Sequence, residues 1–324
     1  MLRLILRAPL AALICMALAA VAWAAPPSYT FQTIISPGDP AFTQLLGINN
    51  SGTIAGYFGD GTIKPNNGFT LVLPSSYTPE NFTGAAQTQV IGINGAGNTD
   101  GFYIDTGGVT HGFTNIGGTS TTVDNPNTTS VLTQLLGLNN SNEAAGYWQN
   151  AGGTQFPFTV TGMTFTGLNS LLPANTSAQA TGVNSGGWVS GFYVDSTGTH
   201  GFLLKGTTET TLNYPGSAFT QALGVSNTGE VVGVYMDAAG NMHGFTYGAT
   251  YQSVDDPFGI GPTGLTTTVV NGVNDHGQLV GFYVDSSGNT DGFFANPVPE
   301  PGSLLLLGSG VLAGLGFVRR KLIR

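Results

Sequence analysis

Through the middle of the chain, short apolar runs alternate with polar breaks rich in Gly and Asn, and the alternation is periodic. The sharpest copy covers residues 271–294, NGVNDHGQLVGFYVDSSGNTDGFF. Its apolar stretches are too short for helices and rich in Val, Phe and Tyr. The breaks between them carry the residues that make tight turns. The pattern therefore predicts three short strands joined by two turns.

Weaker copies recur upstream. A Gly–aliphatic–Asn triplet appears as Gly47-Ile48-Asn49, Gly92-Ile93-Asn94, Gly137-Leu138-Asn139, Gly182-Val183-Asn184, Gly224-Val225-Ser226 and Gly272-Val273-Asn274, at intervals of 45, 45, 45, 42 and 48 residues. Periods of this size belong to solenoids, propellers or arrays.

After the triplet comes N-x-x-G, as in Asn49…Gly52 and Asn274…Gly277. It predicts a type I turn followed by a left-handed residue, where Gly costs least. The third copy has Asn142 in place of that Gly, and Asn is the best-tolerated substitute there. The next strand begins Gly–aromatic–aromatic or close to it, as in Gly56-Tyr57-Phe58 and Gly281-Phe282-Tyr283. Adjacent aromatics on a strand point to opposite faces, so each sheet should be covered on both sides. The Gly before them implies close backbone approach or a bulge.

A D-x-x-G turn follows, with Asp105, Asp195, Asp237 and Asp285 at its first position, Asn150 as the polar variant and Asp60-Gly61 in the departing first copy. A third strand opens with G-F. The third copy reads Pro157-Phe158, which predicts a distorted or edge strand. A less regular segment, clearest at Thr208–Tyr214 before Pro215-Gly216, supplies a fourth strand.

The chain's own start, Tyr29–Ile35 before Pro37-Gly38, matches that fourth strand, and the repeats end at Phe294 on a third. This phase offset is what ring closure requires. The expected fold is all-β: a six-bladed propeller of four-stranded repeats of about 45 residues, closed by the N-terminal strand. The alternative is an open β-solenoid, which would need capping segments.

The ends carry different signals. Residues 1–24 contain Arg3 and Arg7, an apolar run, and Ala22-Trp23-Ala24, which together predict a secretory signal peptide cleaved by signal peptidase after Ala24. The β domain then spans 25–297. Residues 298–324 hold Val298-Pro299-Glu300-Pro301, an apolar stretch over 303–318, and Arg319-Arg320-Lys321. Basic residues after such a stretch fix it with the basic end in the cytoplasm. Its length is short for a ~30 Å hydrocarbon core, so a transmembrane helix there would lean on flanking residues. This tail resembles the PEP-CTERM sorting signal. The resemblance implies transient inner-membrane anchoring, cleavage by an exosortase, and a final place at the cell surface or outside the cell, in bacteria that make extracellular polysaccharide.

Composition narrows the class. The 50 Gly among 324 residues are about twice the usual share of ~7%, and charged residues are only 8% against a usual ~25%. Between Asp39 and Asp291, Lys64 and Lys205 face sixteen acids, a balance of −14. That excludes nucleic-acid binding, which needs clustered Lys and Arg. The one cysteine, Cys15, lies in the leader, so the mature chain should hold no disulfide. No cofactor is implied.

His111-Gly112-Phe113, His200-Gly201-Phe202 and His243-Gly244-Phe245, taken with the triplet turns and the Gly–aromatic strands, resemble the HAF family of extracellular repeats. The family implies export and no defined activity. These histidines would sit on separate blades and so read as structural. The turn aspartates Asp105, Asp195, Asp237 and Asp285 would share one face of the ring and are weak Ca²⁺ candidates. A local turn role explains them first. Glu143, Glu209 and Glu230 are acids outside the repeat, in neighbourhoods that suggest no raised pKa. No nucleophile, zinc or P-loop motif occurs, so no catalytic residue is assigned. The expected function is a non-enzymatic binding or structural role linked to exopolysaccharide or biofilm, with a secreted propeller hydrolase or lyase as the alternative. Trp148 and Trp188 are candidates for stacking on a sugar ring, with packing between blades the first expectation for each.

Overall fold

The structure, a computed structural model, describes residues 28–174 and 176–298. Those residues form six four-stranded antiparallel sheets arranged as a six-bladed propeller. Blade 1 consists of Thr43–Ile48, Thr53–Phe58, Asn67–Val72 and Ser76–Pro79, and blades 2 to 5 repeat that order from first strand to fourth. Blade 6 is assembled from both ends of the domain. Thr268–Val273, Leu279–Val284 and Thr290–Val298 are its first three strands, and Ser28–Ile34 pairs beside the last of them. The predicted N-terminal strand therefore closes the ring, and the open solenoid is ruled out. The anticipated signal peptide and C-terminal transmembrane helix lie outside the described residues. Among the described residues no helix is long and apolar enough to cross a membrane.

The repeat turns take the expected conformation. Gly52, Gly97, Gly187, Gly229 and Gly277 have φ between 70° and 89°, and Asn142 substitutes at φ 59°. The Gly before each aromatic pair serves both predicted purposes. It faces a bulge in the first strand, as between Leu45 and Gly47, and a Cβ there would strike the carbonyl of the residue before its ladder partner, as one on Gly56 would meet Gln44.

The core is repeated six times. The phenylalanine of the G-F element (Phe69, Phe113, Phe158, Phe202, Phe245 and Phe293) is at most 2% exposed in every blade. Trp148 stacks on Phe156 with centroids 4.2 Å apart. Trp188 packs against a cluster that includes Ala222 and Val231 of the next blade and carries the Lys205 ammonium 3.6 Å above its ring.

One expectation is corrected. Gln155–Thr161 is a regular inner strand paired on both sides, neither distorted nor an edge. Pro157 lies opposite Tyr147 but one residue past the last pair with the fourth strand, Phe158 with Gly167. At the equivalent site in blade 1, the Gly68 N–H reaches a side chain, Asn81, instead of a ladder carbonyl. Proline there gives up no ladder bond.

Candidate binding site at the channel mouth

The six first strands line the central channel, and each side chain repeated along them forms a ring. At one end is the Asn of the triplet. Its Oδ1 accepts from two N–H groups of its own turn, as Asn49 does from Ser51 and Thr53, both at 3.0 Å. Its Nδ2 meanwhile donates to the same carbonyl one blade on. Asn49 reaches Asn94, Asn94 reaches Asn139, Asn139 reaches Asn184, Asn184 reaches Ser226, and Asn274 reaches Asn49, all within 2.9–3.1 Å. The turn role anticipated for these asparagines is half of what they do. The signal was present in the sequence, because the second turn uses Asp for the same geometry. Only a residue that must also donate has to be Asn.

Midway, the triplet glycines bring neighbouring first strands into backbone contact. A Cβ on Gly137 would lie 2.8 Å from the Gly182 Cα, and one on Gly272 would lie 3.2 Å from the Gly47 Cα. The space at this waist is about 80 Å³.

At the other end the channel widens to about 420 Å³. Its rim is an amide ring that went unremarked in the sequence: Gln44, Gln89, Gln134, Gln179 and Gln221, three residues before the triplet glycines of blades 1 to 5, with buried Val269 at the equivalent position of blade 6. Beneath it are Leu46, Ile91, Leu136, Thr181, Leu223 and Asn271. Each rim residue pairs across the ladder with the first aromatic position of the second strand. Gln44 faces Tyr57, Gln89 faces Phe102, Gln134 faces Tyr147, and Gln179 faces Phe192.

The tyrosines orient their amides. Tyr57 Oη donates to Gln44 Oε1 at 2.8 Å and Tyr147 Oη to Gln134 Oε1 at 2.7 Å. Burial raises both phenol pKa values, that of Tyr147 to about 12, so both stay protonated and donate. The Nε2 groups of Gln44 and Gln134 are left over as donors. Gln89 spends its Nε2 on Asn66 Oδ1 at 2.8 Å and keeps Oε1 as an acceptor. No carboxylate lines the mouth.

The anticipated metal candidates surround this mouth, at the turns between second and third strands. Each satisfies its own turn. Asp105 Oδ1 accepts from Gly107 and Val109, Asp195 Oδ1 from Thr197, Asp237 Oδ1 from Ala239 and Asn241, and Asp285 Oδ1 from Ser287 and Asn289. Their pKa values fall below the usual carboxylate range. For Asp105 the Val109 N–H is the main cause. For Asp195 it is the Thr197 hydroxyl and for Asp237 the Asn241 amide, each holding its acid at about 2. Burial opposes the shift at Asp285, and the Asn289 contacts outweigh it. Among the described residues no three His, Cys, Asp or Glu side chains are grouped to hold a metal.

The histidines lie on separate blades as expected, each tied to a turn aspartate and to the end of a fourth strand. His111 contacts Asp105 at 3.5 Å and Asp124 at 2.7 Å, and His243 contacts Asp237 at 3.4 Å and Asp255 at 3.0 Å. His200 bridges Asp195 and Asn213 in the same way.

Two acids depart from the sequence reading. Glu230 is partly buried and its pKa is raised by that burial, against expectation. Asp100, not singled out at all, is fully buried where blades 1, 3 and 4 have Ala55, Ala145 and Ser190. Burial pushes its pKa up to about 7, although the N–H groups of Gly92 and Gly137 oppose that shift. Its Oδ2 has no partner.

Comparison with known proteins agrees with the fold and the C-terminus. Residues 297–321 match the model described as the PEP-CTERM protein-sorting motif, which marks an exported protein processed by an exosortase. The matched residues from Pro299 on lie outside the described structure. No curated protein matches the chain in sequence. Among solved structures, a protein described as TolB from Agrobacterium tumefaciens aligns with a TM-score of 0.55 at 11% identity, covering 85% of this chain and all of that one. A six-bladed fungal lectin from Aleuria aurantia aligns at TM-score 0.48 and 11% identity, covering 81% and 98%. Virginiamycin B lyase from Staphylococcus aureus aligns at 0.45 and 9%, covering 85% and 90%. At these identities the likeness concerns the fold alone.

Proposed function

We propose that this propeller is a non-enzymatic, carbohydrate-binding component of the cell surface or extracellular matrix, linked to exopolysaccharide or biofilm. Signal peptidase cuts after Ala24, the C-terminal segment anchors the chain transiently in the inner membrane, and exosortase cleavage at the Pro-Glu-Pro region delivers it outward. The likeness of its repeats to HAF units supports an extracellular setting.

The observation that carries the reading is the channel mouth, where five glutamine amides and the rings of Tyr57, Phe102 and Phe192 form the lining and, among the described residues, no carboxylate joins them. Neutral donors and acceptors beside aromatic faces suit hydroxylated ligands, and the walls are held by rigid strands. A hydrolase or lyase would need acids converging on the bound chain, with one pKa raised to act as general acid. The acid with the clearest shift toward neutrality, Asp100, is sealed inside the ring.

Incubation of the purified protein with the host's own polysaccharide tests this. Retention of the polymer at unchanged chain length is expected. Depolymerisation, seen as new reducing ends, would replace this reading with the hydrolase or lyase alternative.

A further inference from the structure

We propose, building on the carbohydrate-binding reading, that the mouth is a blind cup that takes the terminal residue of a neutral glycan chain end-on. Three features of the cup carry this.

The first is shape. The cup holds about 420 Å³, and inward it adjoins the glycine waist at about 80 Å³. The walls of the waist are backbone in contact with backbone, so no rotamer change opens it. A sugar chain can enter but cannot thread through. Only a chain end fills such a cavity, because an internal segment needs two exits.

The second is the polar lining. Among the described residues the side-chain amides of Gln179 and Gln221 make no hydrogen bond, whereas Gln44 and Gln134 are pinned by tyrosines and Gln89 by Asn66. Two free amides on adjacent blades can each give and accept one bond, matching the vicinal hydroxyls of a sugar ring. Phe192, across the ladder from Gln179, offers an apolar face beside them.

The third is charge. Among the described residues no Lys or Arg lines the mouth; the turn carboxylates Asp105, Asp195, Asp237 and Asp285 lie on the same side of the ring, where the one cation of those turns, Lys64, sits 3.8 Å from Asp39. Their low pKa values keep them ionised, so a uronate or phosphate end is repelled. The ligand class is therefore a neutral saccharide.

The test uses oligosaccharides from partial hydrolysis of the host's exopolysaccharide, split into neutral and uronate-bearing pools and graded by length. These are titrated calorimetrically into the wild-type protein, Gln179→Ala, Gln221→Ala and, as a control in an exposed turn on the opposite face, Met163→Ala. Neutral chains should bind one protein per accessible end whatever their length. Each glutamine variant should weaken binding roughly three- to tenfold, the loss expected for one net hydrogen bond, and the control should bind as wild type.

Protein taken up in proportion to chain length would overturn end-on recognition, and tighter binding of the uronate pool would overturn the ligand class. Wild-type affinity in both glutamine variants would move the site off the mouth while leaving the carbohydrate reading standing. Failure of the wild-type protein to bind either pool would remove both.

Discussion

The side-chain amide of Asn274, in the last blade, donates to the backbone carbonyl of Asn49, in the first, at 3.1 Å across the seam where the ring closes. The same amide's oxygen accepts from His276 and Gln278 within its own turn. One side chain thus shapes a hairpin and joins two blades that are 225 residues apart in sequence. The neighbouring Asp275 reinforces the seam by receiving Asn50 Nδ2 at 2.7 Å on one side and Asn227 N–H at 2.7 Å on the other.

Asn274→Ala should therefore lose both halves of this arrangement and destabilise the domain by roughly 2–4 kcal/mol, the sum of several bonds made to buried partners. Asn274→Ser should cost about half as much. The hydroxyl can still serve the turn, as Ser226 Oγ does by accepting the Glu230 N–H at 3.1 Å, while the inter-blade bond is lost. Urea unfolding of the two variants measures the difference, and equal losses would contradict the dual role.

The glycines of the second strand and of the first turn should respond oppositely to substitution. In Gly281→Ala the new Cβ meets the Val269 carbonyl and the Phe293 ring, at a cost of roughly 3 kcal/mol or more through overpacking. Gly277→Asn places in blade 6 what Asn142 already is in blade 3, and should cost about 1 kcal/mol or less. Thermal unfolding distinguishes the two.

Asp100 should make stability fall as pH rises. Its folded pKa, about 7, lies above the ordinary aspartate value. The folded state therefore binds the extra proton, and the contribution is complete below pH ~4 and lost as pH climbs through 7. The loss is of the order of 4 kcal/mol by pH 8, taking three pKa units at 1.36 kcal/mol each. Asp100→Ala, the residue found at positions 55 and 145, should remove this slope and raise the melting temperature at pH 8 relative to wild type. A difference between the two proteins that does not change from pH 4 to 8 would count against it.

The turn aspartates act in the other direction. Asp195 and Asp237, held at about 2, add stability that is present above pH ~4 and fades as pH falls toward 2. Because their oxygens already serve backbone N–H groups and neighbouring side chains, a chelator or added Ca²⁺ should leave the melting temperature unchanged. A rise with Ca²⁺ that the variant Asp237→Asn abolishes would restore them as ligands.

Much of the architecture was legible along the chain. N-x-x-G and D-x-x-G declare their turns through local backbone preference, and the displaced fourth strand at the N-terminus pointed to closure, which the pairing of Ser28–Ile34 beside Thr290–Val298 decided. Pro157 was misread because a proline's effect depends on which side of the strand loses its donor, and that depends on where the neighbouring strand ends. The glutamine ring was as regular in sequence as the triplet. Its meaning was hidden because a lone exposed-looking Gln has no local signature. Asp100 was hidden for a related reason, since an acid among strand residues reads as solvent-facing until a neighbouring blade covers it.

The sequence by itself determined the number of repeats and the order of strands within each, and it pointed to closure by the N-terminal strand with an open solenoid as the alternative. These follow from periodicity and turn chemistry, which act over a few residues and repeat every 45 or so. Only the tertiary structure decided that the triplet asparagines bind blade to blade, that five glutamines converge on one cup, and that Asp100 is buried with an oxygen unpaired. Each of those depends on atoms about one repeat apart or more meeting at a common axis. The chain does not announce that meeting, because the hydrophobic packing that brings the blades together is set by the whole ring at once.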